Sequence, residues 1–162
     1  MGLAAATLAK AAGMTVISTT RNISKIQGLE DHGVDEALLD DGELARKIGG
    51  RVNVALQVTG FSNLADTLGS MAPLGVTCLV GVLGEYSDVH SGALISPHPI
   101  SYIPHSVRLT TRTGLWPGKN EMQTWVTGME EGIYNMPIDK IFSFEQIGKP
   151  CAAEKRMGDW VG

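Results

Sequence analysis

The chain has 162 residues, enough for one globular domain with a hydrophobic core and too few for two domains of ordinary size. Hydrophobic residues make up 43% of the chain and charged residues 19%, a balance typical of a folded protein rather than a disordered one. A formal charge of −4 without a basic stripe argues against nucleic-acid binding, and no apolar run approaches the roughly 20 residues that cross a bilayer.

The first twelve residues predict an alanine-rich helix. The apolar residues at helical spacing are Leu3, Ala4, Ala5, Leu8, Ala11 and Ala12. Gly13 stands where a glycine would cap the end of the helix. Lys10 inside the stretch, and the lack of basic residues before it, argue against a secretion signal. So many alanines leave a thin helix face, which predicts close packing on a sheet.

The chain then alternates between short apolar strands and helices. We predict strands over residues 14–18, 36–39, 52–58, 76–82, 107–111 and 138–144, and helices over residues 22–32, 41–48, 63–71 and 121–131. Asp40 or Asp41 is expected to cap the helix over residues 41–48. Strict alternation favours parallel strands joined by right-handed crossovers. The sequence therefore predicts a doubly wound α/β sheet.

A long loop over residues 85–106 interrupts this pattern. It contains three prolines and three of the four histidines, His90, His98 and His105. Loops of this length in compact domains usually serve a site or an interface. The histidine spacing fits no compact metal-ligand set, so we expect these side chains to be solvated.

The two cysteines suggest neither a metal site nor a disulfide framework. Cys78 and Cys151 are far apart and belong to no CxxC or Cys/His pattern. We expect a soluble, cytoplasmic protein.

Ligands of parallel sheets bind beyond the carboxyl ends of the strands, so the residues that follow each strand are the candidate site. These residues are 19–21, 40–41, 59–60, 81–84 and 111–114. Any one glycine among them is more simply explained by a tight turn, but the whole set favours a ligand. Trp116, just beyond the last of these ends, could stack on a ligand or fill a corner.

The runs Gly2–Gly13 and Met14–Arg21 resemble the nucleotide-binding half of quinone oxidoreductase-like medium-chain dehydrogenases. Further similar segments follow in the family's order, at residues 33–35, 54–60, 75–84 and 103–113. The resemblance implies a Rossmann-like domain that binds NADPH. It also implies a two-domain, zinc-independent reductase that passes hydride to a quinone, an enone or another carbonyl compound.

The resemblance also implies cofactor-binding positions, none of which is a general acid or a nucleophile. Gly2 resembles the glycine at the pyrophosphate. The positions near the adenosine ribose and its 2′-phosphate are Thr19, Thr20, Arg21 and Lys25. The positions near the second ribose and the nicotinamide are Thr59, Gly60, Gly81, Val82 and Arg112. The chemistry would belong to the cofactor, which the protein orients.

The chain departs from the family pattern at both ends. The family's catalytic domain, the first strand of the cofactor domain with most of its glycine-rich turn, and the final strand are missing, so the chain resembles a fragment. We expect residues 1–137 to form the truncated nucleotide-binding domain and residues 138–162 to return toward the catalytic domain. The fragment is expected to show no reductase activity alone and to self-associate as a homo-oligomer through unpaired strand edges.

The end of the second strand of the family's domain bears on cofactor choice. NAD-selective domains usually place an acidic residue there, which binds the ribose hydroxyl. This chain has Thr19, Thr20 and Arg21 instead, with Lys25 four residues later on the same face of the predicted helix. Cations and hydroxyls favour a 2′-phosphate, so NADPH is predicted over NADH. The alternative is that Arg21 and Lys25 are ordinary solvated residues.

Two other functions remain open. The domain could act as a stand-alone nucleotide-binding or assembly module without turnover. It could also bind S-adenosylmethionine, although the Ser-Thr-Thr-Arg end of the strand lacks the acidic residue typical of such domains. The fold alone does not decide between these functions.

Overall fold

A computed structural model describes residues 1–61, 63–81, 103–111, 116–138 and 141–146. Its helices are α1 (Gly2–Ala11), α2 (Ile26–Asp31), α3 (Leu44–Ile48), α4 (Leu64–Gly69) and α5 (Lys119–Glu130). Its strands are β1 (Ile17–Thr20), β2 (Glu36–Leu39), β3 (Val52–Gln57), β4 (Met71–Leu79) and β5 (Arg108–Thr111). Two single 3-10 turns span Ile23–Lys25 and Phe144–Gln146. Predictions for Val82, His90, His98, Arg112 and Cys151, and for most of the long loop, fall outside the described residues.

All strand pairs in the described residues are parallel, which confirms the predicted α/β class. β1 pairs with β2, and β3, β4 and β5 pair in that order. The described strands thus form two sheets instead of one continuous sheet. The second sheet is built around β4, because β4 pairs along both of its edges.

Two side-chain contacts link the sheets, one at each end of the strands. Arg51, just before β3, donates to the carboxylate of Glu36 in β2 at 2.6 and 2.8 Å. Asn63, in the segment after β3, donates to the carboxylate of Asp40, just after β2, at 2.5 Å. The amino ends of the two sheets therefore lie on one side and their carboxyl ends on the other.

Each sheet has its own apolar core. Ala6 of α1 packs with Val16 and Val34, which lie just before β1 and β2. The close packing of this helix on the sheet stays a prediction. On the second sheet, α4 packs against β3 and β4, and α3 packs against α4. The buried apolar residues of these elements are Leu44, Ile48, Leu64, Leu68, Met71 and Leu79. Within the described residues, no helix is long and apolar enough to cross a membrane.

Strand β1 begins later than predicted, at Ile17 instead of residue 14. The amides of residues 12–14 bond back to carbonyls of α1, so this stretch continues the end of the helix. The Val16 amide bonds to the Asp35 carboxylate at 2.7 Å, and only beyond it does the ladder with β2 start. The predicted helix over residues 63–71 ends at Gly69, because Met71 already pairs with Val52 in the sheet.

The predicted strand over residues 138–144 is wrong in its described part. Ile138 and residues 141–143 belong to no strand, and Phe144 begins a 3-10 turn. Ile138, Ile141 and Phe144 are 74%, 83% and 82% exposed, so no neighbouring sheet covers them. Their spacing of three residues also does not match the two-residue period of a strand.

The predicted cap of the third helix is also wrong. Neither Asp40 nor Asp41 caps α3, whose first helical residue is Leu44. The carboxylate of Asp66, from α4, accepts the amides of Leu44 and Ala45 at 2.7 and 2.9 Å. Asp41 instead pairs with Lys47 at 2.7 Å. The cap comes from a residue distant in sequence, which local patterns do not reveal.

A pH-dependent contact fastens α1 to the first sheet. Asp35 accepts from the Lys10 ammonium at 2.7 Å and from the Val16 amide at 2.7 Å, and these bonds hold the pKa of its carboxyl below the usual value. The pKa of Asp35 is lower in the folded state than in the unfolded state. The contact therefore stabilises the protein at pH values above the unfolded-state pKa. The stabilisation is lost as the pH falls through the folded-state pKa.

We therefore expect Asp35→Asn to lower the melting temperature at pH 7, and the difference from the wild type to shrink as the pH falls below about 4. Thermal unfolding followed by circular dichroism at pH 7, 5 and 3 measures this difference in melting temperature. Asp31→Asn, which removes a nearby exposed carboxylate, is the control and should change little. A deficit of Asp35→Asn that stays constant down to pH 3 would contradict this assignment.

Candidate functional site

Most of the described site residues follow the carboxyl ends of strands. Thr19, Thr20, Arg21 and Lys25 follow β1, Thr59 and Gly60 follow β3, and Gly81 follows β4. Gly2 begins α1, whose other end is fastened by the contact of Lys10 with Asp35 just before β2.

Gly2 is an exposed residue in the first turn of α1. The helix has no side-chain cap, no acidic residue lies in its first turn, and a Cβ built on Gly2 would meet nothing within 4 Å. The first amides of a helix carry a partial positive charge and bind anions readily. The position suits the pyrophosphate role that the resemblance implies.

At the end of β1, a turn is held by its own polar side chains. Thr19 is exposed and Thr20 is half-buried, and the Thr20 hydroxyl accepts the Asn22 amide at 3.2 Å. Asn22 accepts the amide and the hydroxyl of Ser24 at 2.9 and 2.7 Å. These hydrogen bonds all lie within the turn, and of the two threonines only Thr19 is exposed.

Arg21 and Lys25 flank this turn, but they do not share a helix face. Asn22 has an extended backbone (φ −111°, ψ 111°), and the 3-10 turn begins only at Ile23. Arg21 lies before that turn and Lys25 at its end, so the prediction based on helical spacing is wrong. Both side chains are exposed and both belong to the segment that follows β1. Both cations therefore lie in the segment after β1, although not on one helix face as predicted.

At the end of β3, a buried amide organises the following turn. The Gln57 side chain is 5% exposed, and its Nε2 lies 2.9 Å from the carbonyl of Gly60 and 3.2 Å from the Thr59 hydroxyl. Gly60 is buried with φ +113°, a backbone angle that favours glycine. The turn that carries Thr59 and Gly60 is thus fixed from within the sheet.

Gly81 lies close to the same turn. A Cβ built on Gly81 would overlap the carbonyl oxygen of Val58 and lie 2.8 Å from its carbonyl carbon. The amide of Val80 donates to the carbonyl of Gln57 at 3.0 Å, which brings the two strand ends together. Only glycine fits at position 81, because any side chain would meet backbone atoms. Gly81 therefore lies against the backbone of Val58, directly before the turn of Thr59 and Gly60.

Other predicted candidates contribute less. Trp116 is 91% exposed, so it does not fill a corner of the described fold. His105 is exposed, as expected, and Cys78 is half-buried. Groups of three or more His, Cys, Asp or Glu that could hold a metal ion are absent from the described part of the chain.

The polar network at the end of β3 was not predicted from the sequence. Gln57 contacts Asn63 and Thr67 as well as the turn, and Asn63 continues to Asp40. One signal was available, namely a glutamine inside the apolar run of residues 54–58. A polar side chain in a buried strand needs partners, and those partners indicate which turn it supports.

Comparisons with known proteins agree with this geometry. The family model described as zinc-binding dehydrogenase matches residues 1–125. No curated protein matches the sequence significantly. Among solved structures, AibC is similar with a TM-score of 0.76 and 23% identity, over 98% of this chain and 42% of that one.

Two further structures have the same fold. The CurK enoyl reductase has a TM-score of 0.71 and 17% identity over 96% of this chain and 48% of its own. Mycobacterial Rv1454c, solved in complex with NADPH, has a TM-score of 0.62 and 19% identity over 85% of this chain and 45% of its own. The chain thus spans less than half the length of each of these three structures.

Proposed function

The chain belongs to the zinc-binding dehydrogenase family, and on that premise we propose that it is the NADPH-binding part of a reductase of the quinone oxidoreductase type. The observation that carries the proposal is the common placement of three features. The cationic turn, the turn of Thr59 and Gly60, and Gly81 follow the carboxyl ends of β1, β3 and β4. Nucleotides bind parallel α/β sheets at this end.

The described residues fit a dinucleotide. The first amides of α1 would hold the pyrophosphate, since they are uncapped and open around Gly2. Thr59, Gly60 and Gly81 would face the second ribose and the nicotinamide with backbone rather than with bulky side chains. When bound, the cofactor supplies the hydride, and this chain supplies binding and orientation.

The choice of NADPH over NADH rests on the turn after β1. Arg21 and Lys25 are both exposed there, and no acidic residue follows the strand until Glu30. Charge-assisted hydrogen bonds favour the 2′-phosphate that distinguishes NADPH. That Rv1454c was solved with NADPH is in keeping with this choice.

The hydride acceptor is proposed to be a quinone, an enone or another small carbonyl compound. The sequence resemblance favours this zinc-independent type, and the similar CurK protein is an enoyl reductase. We further propose that residues 138–162 return toward a catalytic domain and that turnover requires that domain. Within the described residues, β1 and β2 each pair along one edge only, and such open edges support the proposal that chains self-associate.

Isothermal titration calorimetry of the 162-residue chain with NADPH, NADH and S-adenosylmethionine tests the cofactor assignment. We expect saturable binding of NADPH, weaker binding of NADH and none of S-adenosylmethionine. If neither dinucleotide bound, or if S-adenosylmethionine were the preferred ligand, the proposed function would be overturned.

A further inference from the structure

Gln57 is a buried polar residue at the end of β3, beneath the turn of Thr59 and Gly60. Its Nε2 faces three oxygen atoms, the Gly60 carbonyl, the Thr59 hydroxyl and the Asn63 side-chain oxygen, at 2.9, 3.2 and 2.5 Å. Its Oε1 accepts the Thr67 hydroxyl at 3.0 Å. The donor half of the amide thus faces the turn after β3, and the acceptor half faces α4.

Backbone pairing of β3 does not depend on this side chain. Gln57 lies opposite Leu79 in the ladder, and its carbonyl accepts the amide of Val80. Removing the donor half of the amide would leave these bonds in place. It would release the Gly60 carbonyl and the Thr59 hydroxyl, which belong to the turn.

The network also reaches the first sheet. Asn63 receives a hydrogen bond from Gln57 through its side-chain oxygen and donates through its nitrogen to Asp40 after β2. Gln57 therefore fixes two things together, the shape of the turn and its connection to the other sheet. Both matter for a ligand whose two halves contact the ends of β1 and β3.

We propose that Gln57 is a positioning residue for the cofactor, which holds the turn of Thr59 and Gly60 in its binding shape by donating hydrogen bonds to it. This inference rests on the proposed function. Gln57 is buried beneath the turn and acts through Thr59 and Gly60. What the site requires at position 57 is a side-chain donor.

The variant Gln57→Glu tests the donor requirement because its donor depends on pH. The ionised carboxylate only accepts hydrogen bonds, so it would repel the carbonyl of Gly60 and the side-chain oxygen of Asn63. The protonated carboxyl would donate again, and burial raises the pKa of such a group toward neutral pH. Asp40 is the charged group that the network contacts, through Asn63. Titrating the wild type with NADPH at each pH corrects for the contribution of Asp40.

We expect NADPH to bind Gln57→Glu about tenfold more weakly than the wild type at pH 8, and within about threefold of it at pH 5. Asn53→Asp places the same new charge on an exposed position of β3 and should bind like the wild type at both pH values.

Three results would overturn the inference. The first is that Gln57→Glu binds NADPH as tightly as the wild type at pH 8. The second is that folded Gln57→Glu loses affinity at pH 8 and does not regain it at pH 5, and the third is that Asn53→Asp loses as much affinity as Gln57→Glu. If Gln57→Glu unfolds at pH 8, Gln57→Met offers similar volume without donors. Its affinity should fall about tenfold at both pH values, and an unchanged affinity would also overturn the inference. Failure of the wild type to bind NADPH would instead refute the proposed function.

Discussion

Gly81→Ala is expected to destabilise the protein by about 3 kcal/mol, at the upper end of the usual range for overpacking. The added methyl group would overlap the carbonyl oxygen of Val58 and lie 2.8 Å from the carbonyl carbon. These are backbone atoms, so no side-chain rotation relieves the overlap, and either β4 or the turn after β3 must move. For a protein of this size, the loss corresponds to a melting temperature about 6–12 °C lower.

Thermal unfolding measures the effect, and calorimetry with NADPH should show weaker binding because the turn of Thr59 and Gly60 moves with Val58. Gly118→Ala is the matched control. Gly118 precedes α5 with φ −64°, and a Cβ there would meet nothing within 4 Å. Its melting temperature should stay within about 2 °C of the wild type. If the two alanine variants melted alike, the close approach of Gly81 to Val58 would be refuted.

Lys25→Ala is expected to weaken NADPH binding by about 1–3 kcal/mol, the range for a hydrogen bond to a charged group. This equals roughly a 5- to 150-fold rise in the dissociation constant. Binding of NADH should barely change, because NADH lacks the 2′-phosphate that the ammonium would contact. Calorimetric titration of the wild type and of the variant with each cofactor gives the four dissociation constants to be compared.

Lys119→Ala removes an exposed cation at the start of α5 and serves as the control for net charge. It should leave both affinities unchanged. The NADPH preference of the wild type should also shrink at high salt, since an exposed charge pair is screened. Equal losses for both cofactors in Lys25→Ala, or a wild-type preference for NADH, would rule out the 2′-phosphate assignment.

The sequence predicted those features of the fold that depend on local patterns. The alanine pattern placed α1 within one residue of its observed end, and the apolar run of residues 36–39 matched β2 at both of its ends. Strict alternation predicted parallel pairing, because a strand that follows a helix can rejoin the same sheet only by a crossover. These inferences needed no knowledge of distant contacts.

Features that depend on distant contacts were not predictable in the same way. Asp66 caps α3 from more than 20 residues away, where a local rule selected Asp40 or Asp41. The start of the second helical segment had a local signal that was missed, since Asn22 followed by Ser24 is a capping pattern. The strand over residues 138–144 was inferred from apolar content alone, without the alternation that a strand requires.

The division of the described strands into two sheets affects the cooperativity of unfolding. Each sheet keeps its own core, so either can open without breaking a strand-to-strand hydrogen bond of the other, and such partial opening costs less than global unfolding. A dinucleotide held at Thr19–Lys25 on one sheet and at Thr59–Gly81 on the other would lose contacts whenever either sheet opened. Bound at a hundred times its dissociation constant, it would add about 2.7 kcal/mol against both openings. The ligand would thereby join two weakly coupled folding units into one.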